Sequence, residues 1–239
     1  MHLLNTKSLE LEEPERIEPY AILFPHMEHT EFAMSKRGWA KIKQARSEGI
    51  HWAWVDTCCI DKTSSTVLSE AINSMYRWYA NSAVCYVYLE DVHLANPQLA
   101  EPAELFFHNS RWFRRGWTLQ ELLAPQRVEF FNQRWSFLGT KAQVQARLAR
   151  ITGIEEKYLV GDVPFSAVPA GLIFSWASKR DTSRPEDMAY CLLGFFDVSL
   201  PLLYGEGKNA LIRLQEEIIR RNDDYSLFLW RPSFGLLAT

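Results

Sequence analysis

The 239-residue chain is poor in the features that announce a function by themselves. It has four cysteines and no C-x-x-C pair. Cys58, Cys59, Cys85 and Cys191 all lie inside apolar runs, which argues for buried thiols over a disulfide framework or a zinc site. No apolar run approaches the roughly 20 residues that span a bilayer. The first residues, MHLLNTKSLELEEPE, lack the basic-then-apolar pattern of a secretory signal. The expectation is a cytoplasmic protein with no membrane span. Charge of one sign is missing too. Lys and Arg number 26 against 29 Asp and Glu, a net charge of −3 with no basic run, so nothing draws the chain to nucleic acid or an anionic membrane.

Phosphate-loop glycines are also lacking. Gly205-Glu206-Gly207-Lys208-Asn209 has neither the first glycine at the right spacing nor a Ser or Thr after the lysine, so it reads as a turn feeding a helix. His26 and His29 are three apart near acids, but no further ligand joins them and no metal is expected. Cys58 or Cys59 with His51 has the chemistry of a nucleophile and base. Nothing in the sequence positions them, and a buried thiol at a strand end is the plainer reading.

What is present is an ordinary globular composition, 47% hydrophobic and 23% charged, in a chain long enough for one α/β domain with an extension. Residues 1–19 are polar and acidic and suit an edge hairpin or a loosely held arm. Four short β-prone runs follow at 20–24 (YAILF), 52–57 (WAWVDT), 83–89 (AVCYVYL) and 127–131 (RVEFF). Between them lie helical patterns over 32–48 and from Leu68 onward, where Leu68, Ile72, Met75 and Tyr79 share a face. This alternation predicts a wound parallel sheet with helices on both faces. Residues 132–239 read as a mostly helical extension, with helices over 141–151, 166–178, 188–196 and 206–221 and a closing strand at 226–230. The soft boundary near 132 divides an α/β core, 1–131, from the helical part, 132–239, packed on it.

Ligands in such sheets bind beyond the carboxyl ends of the strands. Asp56 and Asp61 lie at one such end, either as site carboxylates or as caps of the following loop. The most distinctive stretch is 110–125, SRWFRRGWTLQELLAP. Gly116 and Pro125 bracket a helix on which Trp117 and Glu121 share a face. An acid beside Arg111, Arg114 and Arg115 is either an ion-pair anchor or a working carboxylate.

Five segments carry a family resemblance: WVDTCCIDK (54–62), SEAINSMYRWY (69–79), AVCYVYLEDV (83–92), SRWFRRGWTLQELLAP (110–125) and EDMAYCLLGFFDVSLPLLYGEGKNALIRLQEEI (186–218). Together they resemble the fungal heterokaryon-incompatibility (HET) domain and its usual C-terminal continuation, over nearly the whole chain. The resemblance implies a role in non-self recognition and regulated cell death, often as the effector module of a larger receptor. A more distant resemblance is to TIR domains, where a helix carrying W-x-x-x-E-L follows the third strand. Trp117, Glu121 and Leu122 match it, which implies a TIR-like, flavodoxin-like sheet and NAD as a substrate.

On that resemblance Glu121 would hold the ribose hydroxyls and stabilise an oxocarbenium-like centre as nicotinamide leaves, as a carboxylate suits developing positive charge. Trp117, Asp56, Asp61, Phe24 and His26 would line the substrate site, no resident cofactor is needed, and self-association is implied. The chain departs from the family after the first strand. Phe24-Pro25-His26-Met27 stands where HET domains read Ser-His-x-Trp, and each lost ligand hydrogen bond is worth roughly 1–3 kcal/mol. The alternatives are a non-catalytic module that signals by self-assembly, with Glu121 paired to an arginine, and an inactive copy.

Overall fold

The computed structural model describes residues 1–23, 36–93, 107–221, 224 and 226–229. The expected substrate-site residues Phe24 and His26, the second histidine His29 and the departing loop through Met27 lie outside them. Contacts divide the chain into two compact units. The first comprises Met1–Leu68, Trp78–Ser110 and Pro125–Val144; the second comprises Ser69–Arg77, Arg111–Ala124 and Gln145–Thr239.

The first unit is built on a seven-stranded sheet: β1 (Leu3–Asn5), β2 (Leu11–Glu12), β3 (Tyr20–Leu23), β4 (Trp52–Trp54), β5 (Val84–Leu89), β6 (Val128–Asn132) and β7 (Phe137–Thr140). The order is β2-β1-β4-β3-β5-β6-β7. The four inner strands are parallel, and the edges add antiparallel partners. This is the wound α/β architecture that the alternating pattern predicts, and the 1–19 region supplies the expected edge hairpin. Every residue of β5 is buried, as its unbroken apolar run requires of a central strand covered on both sides.

Registry sets which residues face which helix. Trp54, Ile22, Cys85 and Val128 form one row across β4, β3, β5 and β6. On that face Trp54 packs its ring 5.5 Å from Trp78 and 5.8 Å from Tyr79, near the end of α2 (Ser65–Ala80). The other face carries Tyr86, whose hydroxyl donates to Glu48 at 2.8 Å, and Tyr88, whose ring lies 5.1 Å from the Lys41 ammonium. Lys41 belongs to α1 (Lys36–Ser47). Helices therefore cover both faces.

Two expectations for the C-terminal part need correction. Residues 137–140 form β7, a strand hidden from pattern reading because it is a short edge with Phe137 52% exposed. It is folded back by Asn132, whose side-chain oxygen accepts the amides of Arg134 and Ser136, each at 2.9 Å. The closing strand expected at 226–230 is instead a helix over Ser226–Leu229. Asp224 accepts the Ser226 amide at 2.9 Å and starts it; four apolar residues carry too little periodicity to separate the two.

The second unit, as described, is helical. A 3-10 turn over Arg111–Arg114 leads to a helix at Thr118–Leu123, and further helices run over Gln145–Thr152, Glu156–Leu159, Ala170–Ala177, Asp187–Tyr190 and Asn209–Arg221. The long Asn209–Arg221 helix buries Ala210, Leu214 and Ile218, one residue per turn. The helix expected over 166–178 breaks at Pro169, with a 3-10 turn before it.

Candidate functional site

The strand order reverses between β3 and β5, the position where wound sheets hold ligands beyond the carboxyl ends. Of the loops at that edge, the one after β4 is fully described. Asp56 is half-buried, and the Lys62 ammonium lies 3.9 Å from its carboxylate. Asp61 is exposed and accepts both the amide and the hydroxyl of Thr63, at 2.9 and 2.6 Å. Those bonds hold its carboxyl below the usual carboxylate range. Asp61 thus does the loop-capping job that its residue type suggests. The same turn holds Cys58, half-buried, and Cys59, buried.

Glu121 and Trp117 belong to the second unit, Asp56 and Asp61 to the first. Glu121 is 1% exposed. Arg111, Arg114 and Arg115, its neighbours in sequence, are exposed. Arg180, itself 5% exposed, feels the charge of Glu121. Arg180 is carried in by a short parallel bridge between Arg115 and Asp181. There the Gly116 amide donates to the Asp181 carbonyl at 2.8 Å, and the Asp181 amide to the Arg114 carbonyl at 2.5 Å. Gly116 eases that approach, since a Cβ at this position would meet Thr182 Cγ2 at 2.4 Å and the Thr182 side chain would have to shift. Arg180 Nη1 donates to the Arg115 carbonyl at 3.0 Å and to Thr118 Oγ1 at 2.7 Å. Burial lowers its guanidinium to about 10, opposed by Cys191 and Glu121.

Trp117 is half-buried, and its indole N–H donates to the Asp187 carboxylate. Burial raises Asp187 above the usual aspartate value, against its bonds to Tyr204 and Trp117; the Tyr204 hydroxyl donates to it at 3.0 Å. Next to it, Glu186 accepts the amides of Gly205 and Gly207 at 2.7 and 2.9 Å. Glu206 takes the Tyr190 hydroxyl at 3.0 Å and Arg213 at 2.5 Å. The long motif from 186 to 218 is thus a lock between two of its own turns. The glycine turn is a small anion nest, and a carboxylate of the same chain occupies it, which agrees with reading it as a turn and not as a phosphate loop.

Sequence reasoning missed Arg180, Glu186 and Asp187. Glu186 and Asp187 have the look of ordinary first-turn helix acids, and Arg180 sits in a polar stretch with no pattern. Among the described residues no group of three or more His, Cys, Asp or Glu could hold a metal. None of the described helices is long and apolar enough to cross a membrane. The second unit also has a cleft of about 700 Å³ lined by Tyr76, Phe165, Phe195, Arg77, Arg221 and Asp224 among others.

Comparison with known proteins now places the chain. The family described as heterokaryon incompatibility protein (HET) matches residues 26–104. Vegetative incompatibility protein HET-E-1 of Podospora anserina is 45% identical over an alignment covering 85% of this chain and 16% of that relative. No solved structure matches. The chain belongs to the heterokaryon-incompatibility (HET) domain family. It spans only that 16% of its much longer relative.

Proposed function

We propose that the chain is the signalling module of an incompatibility protein, coupling non-self recognition to regulated cell death in the cytoplasm by assembling with copies of itself or with a receptor partner. The observation that carries this reading is the burial of Glu121, 1% exposed, in the same unit as the buried Arg180 whose charge it feels. A carboxylate held this way anchors a helix and has no open face for a substrate. Expressing the wild-type chain and Glu121→Gln in fungal cells tests it. The expected result is equal cell death wherever the two fold equally. Loss of death in a folded Glu121→Gln protein would overturn the module reading.

A second reading is NAD cleavage with Glu121 at its centre and Trp117, Asp56 and Asp61 lining the substrate site. Two features favour it: the β4-β3-β5-β6 order of the parallel strands, and a Trp-x-x-x-Glu segment that follows β5, the third parallel strand. Purified chain incubated with NAD would then release nicotinamide and ADP-ribose, and Glu121→Gln would not. Absence of product from a chain forced to oligomerise, beside an active control enzyme, would end this reading.

A further inference from the structure

The turn after β4 holds two thiols that neither reading uses. Cys58 and Cys59 are adjacent in sequence and share one turn. Both are held by the end of β4. The Val55 amide donates to Cys59 Sγ at 3.3 Å, and the Cys58 and Cys59 amides donate to the Val55 carbonyl at 3.2 and 2.8 Å. Cys58 Sγ lies 3.8 Å from the Val55 carbonyl and Cys59 Sγ 3.9 Å from that of Ala53. The pair is asymmetric. Cys58 is half-buried, while Cys59 is 7% exposed. The other two thiols, Cys85 and Cys191, are 0% and 1% exposed.

We propose that Cys58 and Cys59 form a peroxide-reactive dithiol, in which Cys58 is the oxidised thiolate and Cys59 the resolving thiol that closes a disulfide between neighbouring residues. The chemistry balances with a hydroperoxide as oxidant. Cys58 thiolate attacks one peroxide oxygen, the O–O bond breaks, and Cys58 becomes a sulfenic acid as hydroxide leaves. Cys59 sulfur then attacks Cys58 sulfur, the S–O bond breaks, and the departing hydroxide takes the Cys59 proton as water. In sum, two thiols and one hydrogen peroxide give one disulfide and two waters.

The electrostatics run the same way. The neighbouring Cys59 is the largest influence holding the Cys58 thiol below its usual value; burial and the Asp56 carboxylate oppose it. The same neighbour interaction, with burial, pushes Cys59 far up. A lowered, reachable thiol beside a second thiol is the arrangement that oxidation favours, and the Val55 amide that donates to Cys59 Sγ supports that sulfur as it attacks. Closing the disulfide would pull Cys59 Sγ from the Val55 amide and reshape the loop that carries Asp56.

The test uses the full chain, reduced, desalted and treated with a small molar excess of hydrogen peroxide. Remaining thiols are then alkylated in denaturant and the peptide holding both cysteines is read by mass spectrometry. The expected product is that peptide unalkylated, lighter by two hydrogens and restored by dithiothreitol, while Cys85 and Cys191 stay alkylatable. Its formation should outpace oxidation of Cys85 by about tenfold or more, following thiolate character and exposure. In Cys59→Ser, Cys58 should stop as a sulfenic acid captured by a 1,3-dione; in Cys58→Ser, Cys59 should stay reduced. Oxidation of Cys58 no faster than Cys85, a sulfinic acid on wild-type Cys58 without the disulfide, or a disulfide between chains on a non-reducing gel would each overturn the proposal. The wild-type arm needs no substitution, so a poorly folded variant leaves the test intact. It is also independent of the NAD and cell-death assays.

Discussion

Both units bury cations, Lys41 and Lys141 in the first and Arg180 in the second, and Lys141 and Arg180 are buried differently. In the first, Lys141 is 4% exposed, and its ammonium donates to the Pro125 carbonyl at 2.6 Å. Burial lowers it to about 8, opposed by Cys85. In the second, Arg180 is 5% exposed, donates to a carbonyl and a hydroxyl, and feels the carboxylate of Glu121. A lysine near 8 can shed its proton in ordinary buffers, whereas a guanidinium cannot. Burying a permanent charge therefore calls for an acid; burying a lysine calls only for an acceptor. This difference makes Glu121 intelligible as the counter-charge that Arg180 demands.

The largest expected effect comes from breaking the permanent pair. Arg180→Ala strips the Arg115 carbonyl and Thr118 hydroxyl of their donor and leaves Glu121 as a buried charge, at a cost of about 3–5 kcal/mol. Urea unfolding measures it. Arg180→Lys should recover only part, since a single ammonium lacks the planar fork. If Arg180→Ala costs under about 1 kcal/mol, the cation is not buried as the structure has it.

The lysine gives the next effect, through pH. Its folded value, about 8, lies below the ordinary 10.5. Below pH 8 both states carry the proton, and the folded state bears the full cost of a buried ammonium. Between about 8 and 10.5 the unfolded chain binds more protons than the folded one, so stability rises with pH. The rise is about 3 kcal/mol at most, at roughly 1.4 kcal/mol for each pH unit. Lys141→Met should flatten that rise relative to wild type. An equal rise in the variant would assign it to other groups.

Glu121→Gln follows, at about 1–3 kcal/mol, because it removes the charge that Arg180 feels while keeping the side chain's shape. A double-mutant cycle with Arg180→Met isolates the pair: coupling above about 1 kcal/mol supports the anchor, and additivity would separate the two residues.

The same contrast explains what the sequence disclosed. The first unit was legible because its strands are apolar runs between helical periods: 20–24, 52–57 and 83–89 contain the observed strands, 127–131 covers all of β6 but Asn132, and the edge hairpin fell in the acidic N-terminal stretch. Its one hidden strand, β7, exposes Phe137 to solvent and so carries no pattern. The second unit was legible only as helix, because its organising contacts join residues far apart in sequence. Arg180 reaches Thr118, and Glu186 reaches Gly205 and Gly207. The Trp117–Glu121 spacing drew attention to this helix, but nothing in the sequence pointed to Arg180 as a buried cation that feels Glu121.

An exposed cation sets the lower end of the scale. Arg127 is 48% exposed and bridges Glu48 at 2.6 Å and Glu129 at 2.5 Å. Its ion pairs stand in water. Solvent already offsets most of what those pairs could contribute, and salt screens the rest. Arg127→Gln should therefore cost about 1 kcal/mol or less, and the cost should shrink between low salt and 1 M sodium chloride. The Arg180→Ala penalty, set by desolvation and unmet hydrogen bonds, should hardly move over the same range. If the two penalties fell together with salt, burial would not be what separates these cations, and the case for Glu121 as an anchor would fall with it.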